Sequence, residues 1–97
     1  MLGNWWRMRQ SRNQTLVDAL ALELKTRRLE LGWSQEDLAG ASELDRPYIS
    51  VMEVGKKQPT LSVLYKLAEA LGLTFEELAG RVERRYKREL RARTKAV

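Results

Sequence analysis

The sequence predicts an all-α fold of five helices. Apolar residues recur three and four positions apart in several segments, polar residues suited to capping a helix precede these segments, and glycines follow several of them. No segment alternates apolar and polar residues in the way that is typical of a strand. The chain has 97 residues, 43% of them hydrophobic, which is enough for one small core. We therefore expect one folded core built from helices.

Capping residues and a glycine delimit the first two helices. Leucine and valine residues recur at helical spacing between Leu16 and Leu31, with Thr15 in front as the predicted N-cap and Gly32 behind as a stop. The second helix is predicted to begin after Ser34, whose hydroxyl can accept a hydrogen bond from a free backbone N–H, and to end near Ser42. The residues before the first helix show no periodicity and are predicted to form an arm.

A tight turn at residues 43–44 separates the second helix from a third. Asp45 is the predicted N-cap of the third helix. Pro47 falls in its first turn, where the missing N–H of proline has no helical partner to lose. The third helix is predicted to end near Val54 and Gly55.

Thr60 and Thr74 are the predicted N-caps of the last two helices. The fourth helix carries an apolar face of leucines and ends before Gly72. The fifth is predicted to run from Phe75 to about Arg93, which is roughly 28 Å at about 1.5 Å per residue. Acidic and basic side chains four positions apart should stabilise it as the pairs Glu77–Arg81, Glu83–Lys87 and Glu89–Arg93.

The net charge of +5 is unevenly distributed along the chain. Residues 1–15 carry +3, residues 16–80 carry −4, and residues 81–97 carry +6. The same boundaries predict a basic N-terminal arm, a central domain and a basic C-terminal helical extension. Basic flanks are typical of chains with a polyanionic partner, whereas binding by the acidic centre must depend on particular side chains.

The composition also excludes several kinds of function. The chain has no cysteine and no histidine, so it cannot form a disulfide, a thiolate zinc site or a histidine-dependent catalytic triad. Its carboxylates lack a second catalytic component, so we expect a protein that is not an enzyme and has no metal or cofactor. No apolar run approaches 18 residues and no signal sequence is recognisable, so we expect a cytoplasmic protein with no membrane span.

The second and third helices together predict a helix-turn-helix. Each is two to three turns long, and the turn between them is three or four residues. The apolar and small residues expected to hold the two helices together are Leu38, Ala39, Leu44, Ile49 and Met52. The exposed face of the third helix would then present Arg46, Ser50 and Val51, with Tyr48 at one edge. These side chains have the reach to contact base edges and phosphates.

The central residues resemble the phage repressor/Cro class of helix-turn-helix proteins, also known as the XRE family. The similarity lies in the stretch KTRRLELGWSQEDLA at residues 25–39, in YISVME at residues 48–53, in Gly55 and in PTL at residues 59–61. The segment LDRPYIS at residues 44–50 is also similar to the recognition helix of restriction–modification controller proteins. Glu43 stands where the family's turn usually has glycine, so we expect a non-glycine residue with positive φ there.

The resemblance implies which residues contact DNA. Gln35, at the start of the second helix, would bind a phosphate by this resemblance. The two lysines after the third helix either form a polar loop or contact phosphates, because their loop directly follows that helix. The remaining positions lie on the third helix and would read bases or position the helix. The complete predicted set is Gln35, Arg46, Pro47, Tyr48, Ser50, Val51, Lys56 and Lys57. Arg28 and Glu53 match a buried ion pair that would join the first helix to the third.

These features predict a sequence-specific double-stranded DNA-binding transcriptional regulator that acts as a homodimer on a two-fold related site. The alternative is an antitoxin or a protein-binding module that uses the same helix-turn-helix domain. The basic C-terminal helix, with its apolar row Val82, Tyr86 and Leu90, could serve dimerisation or phosphate contact, and both roles remain open. Trp5 and Trp6 are expected to pack against a neighbouring helix or subunit.

Overall fold

The computed structural model describes residues 12–96, and within that range it contains five helices. They are α1 (Gln14–Glu30), α2 (Gln35–Ser42), α3 (Arg46–Glu53), α4 (Leu61–Ala70) and α5 (Phe75–Ala96). The predicted all-α fold is therefore confirmed. Residues 1–11, and with them the predicted packing of Trp5 and Trp6, lie outside the described residues. None of these five helices is long and apolar enough to cross a membrane.

The start of α1 differs from the prediction. The helix begins at Gln14 and its N-cap is Asn13, whose side-chain oxygen accepts a hydrogen bond from the N–H of Leu16 at 3.1 Å. Thr15, the predicted N-cap, is the second residue of the first turn. Its hydroxyl accepts a hydrogen bond from Arg93 at 2.8 Å. Asn13 is also held by Tyr86, because its amide donates to the Tyr86 hydroxyl at 2.8 Å. A contact between the two ends of the chain thus selects the earlier cap.

The other predicted caps lie where the sequence indicated, with one difference. Ser34 forms a reciprocal capping box with Asp37, and the Thr60 hydroxyl accepts from the N–H of Val63. Thr74 pairs with Glu77 in the same reciprocal way at the start of α5. Asp45 occupies the N-cap position of α3, but its side chain makes no capping hydrogen bond to the described residues. The exposed start of α3 therefore keeps backbone donors available to solvent or a ligand.

Side chains from all five helices meet in one core. The largest buried side chains, each less than 2% exposed, are Leu24, Leu38, Ile49, Met52, Leu67, Leu71 and Leu78. Helix α1 packs against α3 on one side and along α5 on the other, while α2 packs against α3 and α4. This arrangement leaves one face of α3 at the surface.

A buried carboxylate joins α1 to α5. Glu23 is 4% exposed and accepts hydrogen bonds from Arg81 Nε at 2.6 Å and from Arg85 Nε at 2.7 Å. Arg81 also reaches Glu30 at 2.9 Å. The predicted pair between Glu77 and Arg81 is therefore wrong, because Arg81 turns to α1 and Glu77 caps its own helix. The pairs Glu83–Lys87 and Glu89–Arg93 are present at 3.8 and 3.4 Å.

This cluster predicts a loss of stability in acid. Burial alone raises the pKa of Glu23, but the hydrogen bonds from Arg81 and Arg85 outweigh it and lower the pKa below the usual 4.5. A lowered pKa contributes stability above the unfolded-state value, and this contribution disappears as the pH falls through the folded-state pKa. The variant Glu23→Gln should lose about 1–3 kcal/mol of unfolding free energy at pH 7.

Urea unfolding followed between pH 3 and pH 7 checks this prediction. The difference between wild type and Glu23→Gln should shrink below pH 4.5. The variant Glu69→Gln, which replaces an exposed acid of α4, is the control and should retain wild-type stability at pH 7. A constant difference across the pH range would show that Glu23 acts by packing alone.

Candidate nucleic-acid interface

The turn between α2 and α3 is built around a left-handed residue. Glu43 has φ 59° and ψ 35°, which confirms the positive φ expected at this position. Backbone hydrogen bonds from Glu43 to Gly40 and from Leu44 to Ala39 close the end of α2. Leu44 is half-buried against the core, so the chain is directed into α3 immediately after the turn. The two helices are thereby held as a helix-turn-helix.

Glycine should stabilise this turn. A non-glycine residue in the left-handed region costs about 1 kcal/mol or more, so Glu43→Gly should raise the free energy of unfolding by about 0.5–1 kcal/mol. Urea unfolding measures the change. The matched control is Glu36→Gly, in the first turn of α2, which should lower stability by a similar amount because glycine disfavours a helix. Equal losses in both variants would show that the backbone at Glu43 is not strained.

Helix α3 has one buried face and one open face. Ile49 and Met52 are 0% and 1% exposed and attach the helix to the core. Arg46 and Pro47 lie in the first turn and are exposed. The buried face therefore attaches α3 to the core, while its first turn is exposed to solvent. A helix that enters a DNA groove requires this arrangement.

The other predicted contact residues on α3 are less exposed. Ser50 and Val51 are half-buried. Tyr48 is half-buried as well and packs against the core, at the edge of the open face. Lys56 and Lys57 are exposed just beyond the end of the helix. All five residues thus lie on α3 or just beyond its end, and the packing of Tyr48 against the core distinguishes it from the other four.

A buried ion pair braces α3 against α1. Arg28 donates to Glu53 from Nε at 2.7 Å and from Nη2 at 2.8 Å, a two-point geometry. The Arg28 and Glu53 side chains are 8% and 3% exposed. Arg28 also donates to the carbonyl of Trp33 at 2.7 Å, and its hydrogen bonds to Glu53 raise its pKa. The arginine therefore links α1, the loop before α2 and α3.

Gln35 extends this polar network to the open face of α3. Its amide nitrogen donates to Glu53 Oε1 at 3.2 Å, and its amide oxygen accepts from the Ser50 hydroxyl at 3.0 Å. The sequence predicted Gln35 and Ser50 as separate DNA-contacting residues, and it did not indicate that they touch. Because Gln35 is joined to Glu53, the orientation of Ser50 depends on the buried ion pair. Phosphate contact by Gln35 stays a prediction.

The end of α3 is held by residues that the sequence analysis missed. The carbonyl of Gly55 accepts hydrogen bonds from Arg12 and from Gln14, each at 2.9 Å. Gly55 has φ 76°, and a Cβ atom there would lie 2.4 Å from an oxygen of Asp18. Gly55 was the one sequence signal for this close contact, because glycine is favoured where φ is positive and where another residue lies close to the backbone. The start of α1 therefore fixes the loop that carries Lys56.

A family model described as helix-turn-helix matches residues 24–78, from the middle of α1 to the start of α5. The chain belongs to this helix-turn-helix family. The match confirms the predicted resemblance to the XRE class. The second half of α5, with most of its basic side chains, lies beyond the residues that the family model matches.

Relatives of this helix-turn-helix chain include regulators and a controller protein. A hypothetical transcription factor of Neisseria meningitidis is 40% identical over 65 residues, which are 67% of this chain and 61% of the relative. The restriction–modification controller protein C.AhdI of Aeromonas hydrophila is similar in structure, with a TM-score of 0.62, 37% identity and coverage of 64% of this chain and 94% of that protein. The clp gene regulator ClgR of Corynebacterium glutamicum has a TM-score of 0.77 at 25% identity, over 84% and 86% of the two chains.

The basic end of α5 lies beside the start of α1. Arg93 donates to Thr15 at 2.8 Å, beside Gln14, which in turn contacts Gly55 at the end of α3. The exposed basic residues of α5 are Arg84, Lys87, Arg88, Arg91, Arg93 and Lys95. The last of these residues lie at the same end of α1 as Lys56 and Lys57.

Proposed function

We propose that this helix-turn-helix chain is a cytoplasmic, sequence-specific double-stranded DNA-binding transcriptional regulator that acts as a homodimer. The observation that carries the proposal is the geometry of α3, which is anchored by Ile49, Met52 and the buried ion pair while Arg46 projects from its first turn. The regulators and the controller protein among its relatives support the same function.

The contacts follow from the dimensions of DNA. The major groove is about 12 Å wide and admits one α-helix, so α3 can present its first turn to the base edges. Arg46 is long enough to pair with a guanine through two hydrogen bonds, and Pro47, Ser50 and Val51 follow along the same groove. Lys56 and Lys57 would neutralise phosphates, which positions the helix without reading sequence.

The homodimer is supported by an apolar surface on α4. Leu61 and Tyr65 are 71% and 54% exposed and lie one helical turn apart, so they form a continuous patch. The apolar row suggested for α5 is less suitable, because Val82 is 8% exposed in the chain's own core and Tyr86 is half-buried. Two copies joined through α4 would double the number of bases that are read.

Sheared genomic DNA in a gel-shift assay at moderate salt tests the function. We expect retardation of a subset of fragments that survives excess nonspecific DNA. The alternative function, an antitoxin or protein-binding module, predicts instead that the chain binds no fragment selectively and copurifies with a small partner protein. That pair of results would contradict the proposal.

Arg46→Ala should relax base preference at one position in each half-site. The loss of two hydrogen bonds to a base corresponds to about 1–3 kcal/mol of discrimination. Selection of bound sequences with wild type and variant measures it. The matched control is Arg84→Ala, on the exposed face of α5, which removes the same charge and should leave base preference unchanged. An unaltered sequence profile for Arg46→Ala would remove this residue from the specificity determinants.

Gln35→Ala separates a phosphate contact from an effect on the recognition helix. If Gln35 binds a phosphate, its loss should weaken all DNA sequences alike. If it acts by orienting Ser50, to which it is hydrogen-bonded at 3.0 Å, the preferred sequence itself should change. Binding profiles over a sequence library distinguish the two results, and the second would contradict the predicted phosphate contact.

A further inference from the structure

A basic depression of about 210 Å³ lies on the surface between α1 and α5. The α1 side of this depression is formed by Glu23, Thr26 and Glu30. Its α5 side is formed by four arginines, Arg81, Arg84, Arg85 and Arg88. Because four cations meet two carboxylates, the depression holds an excess of two positive charges. It contains none of the residues predicted to contact DNA.

Two of the four arginines are held in place from α1. The buried carboxylate of Glu23 accepts hydrogen bonds from Arg81 Nε at 2.6 Å and from Arg85 Nε at 2.7 Å. Arg81 Nη2 also donates to Glu30 at 2.9 Å. Arg85 Nη2 lies 3.5 Å from the hydroxyl of Thr26. Among residues 12–96 the Nη1 groups of both arginines have no acceptor, so each guanidinium is fixed and keeps donors for a ligand.

The other two arginines have no acidic partner among the described residues. Arg84 and Arg88 are exposed, and neither forms an ion pair within residues 12–96. Arg88 lies four positions after Arg84 and three after Arg85, and like charges at these separations destabilise a helix. On the neighbouring face of α5 the charges alternate instead, since Lys87 lies 3.8 Å from Glu83. The four arginines therefore repel one another unless an anion lies between them.

We propose that this depression binds a small polyphosphate anion, of which pyrophosphate is the simplest. A planar guanidinium donates paired hydrogen bonds to phosphate oxygens, and the hydroxyl of Thr26 is a further donor. One water takes about 30 Å³ in the liquid, so the depression corresponds to about seven waters, which is room for two linked phosphate groups. The described residues that line it include no aromatic side chain, so the site recognises the phosphates and not an attached base.

The compact arrangement favours a small anion over the DNA backbone. Arg81 and Arg88 are seven helical residues apart, so all four arginines lie within about 10 Å along α5. A polyphosphate brings several negative charges into this volume at once. A duplex carries one phosphate per about 3.4 Å of axis on each strand and presents them on a convex surface, so it would place fewer charges there. The inference does not depend on the proposed DNA-binding function.

Isothermal titration calorimetry of the full chain with sodium pyrophosphate, in the absence of DNA, tests the proposal. We expect saturable binding at one site per chain. The double variant Arg84→Gln, Arg88→Gln removes the two exposed cations and should bind about tenfold more weakly, because charge-assisted hydrogen bonds are lost. The matched control is Lys87→Gln, Arg91→Gln, which removes the same charge from exposed positions of α5 outside the depression and should keep the wild-type affinity.

Three results would overturn the proposal. The first is the absence of saturable binding up to about 10 mM pyrophosphate. The second is an equal loss of affinity in the two double variants, which would show a general attraction between charges. The third is unchanged pyrophosphate binding by Arg84→Gln, Arg88→Gln together with a salt slope of DNA binding lowered by about 0.9 per arginine, which would assign these arginines to the DNA backbone.

A measurement on the unaltered protein decides the question if a variant fails to fold by circular dichroism. Amide chemical shifts of the wild-type chain are followed while pyrophosphate is added. We expect changes concentrated at Thr26 and at residues 81–88, which surround the depression. Changes concentrated elsewhere on the chain would contradict the assignment.

Discussion

Replacing Arg28 with alanine is expected to destabilise the protein by about 3–5 kcal/mol, because the Glu53 carboxylate would remain buried without its cation. The Glu53 side chain is 3% exposed, and among residues 12–96 only the neutral amide of Gln35 would still donate to it. Domains of this size are typically stable by about 5–15 kcal/mol, so the variant should lose a large part of its stability. Urea unfolding at pH 7 measures the change.

Two controls identify the cause. Lys87→Ala removes an exposed ion pair with Glu83, whose charged atoms are 3.8 Å apart, and should lower the free energy of unfolding by at most about 0.5 kcal/mol. This small loss would show that removing a cation does not by itself destabilise the protein. The double variant Arg28→Met, Glu53→Leu removes both charges and should recover most of the lost stability. A double variant no more stable than Arg28→Ala would contradict the explanation by an unpaired buried charge.

Deleting the chain after Glu83 is expected to lower the salt dependence of DNA binding. The deletion removes the exposed basic residues that follow Glu83, of which Arg93 contacts Thr15 at the start of α1. Each lost phosphate contact should reduce the slope of log affinity against log salt by about 0.9, without altering the preferred sequence. Binding titrations at several salt concentrations measure the slope.

The mass of the truncated protein separates the two roles left open for α5. The exposed pair Leu61 and Tyr65 remains after truncation, so we expect the oligomeric mass to be retained in ultracentrifugation. The truncation also removes Arg85, a partner of Glu23, so a full-length variant with Arg91, Arg93 and Lys95 replaced by Gln is the matched control for charge alone. A monomeric truncation with an unchanged salt slope would assign the end of α5 to dimerisation.

The local sequence determined most of the fold. The caps Ser34, Thr60 and Thr74 lie where the sequence placed them, because a cap is an interaction between residues three positions apart. The bounds of α2 follow from the same short-range rules, whereas the positive φ of Glu43 was implied by the resemblance of this turn to that of the XRE family. The buried face of α3 was also predictable, since helical periodicity alone places Ile49 and Met52 together.

The tertiary structure decided the partners of the long polar side chains. Arg81 could reach Glu77 within its own helix, yet it binds Glu23, 58 residues away, because a buried carboxylate needs its cations more than a solvated one does. Asn13 became the cap of α1 because Tyr86 holds it from the other end of the chain.

The same distinction applies to the DNA-binding surface. The order and spacing of the residues predicted a helix-turn-helix, and the structure contains one in α2 and α3. That Gln35 contacts Ser50 and Glu53 is a consequence of folding, since separations of 15 and 18 residues leave no periodic signal. Short-range spacing thus determined which residues form each helix. A long polar side chain, by contrast, could bond to several different groups. Packing decided among them, because a polar group that is buried away from water needs a hydrogen-bond partner.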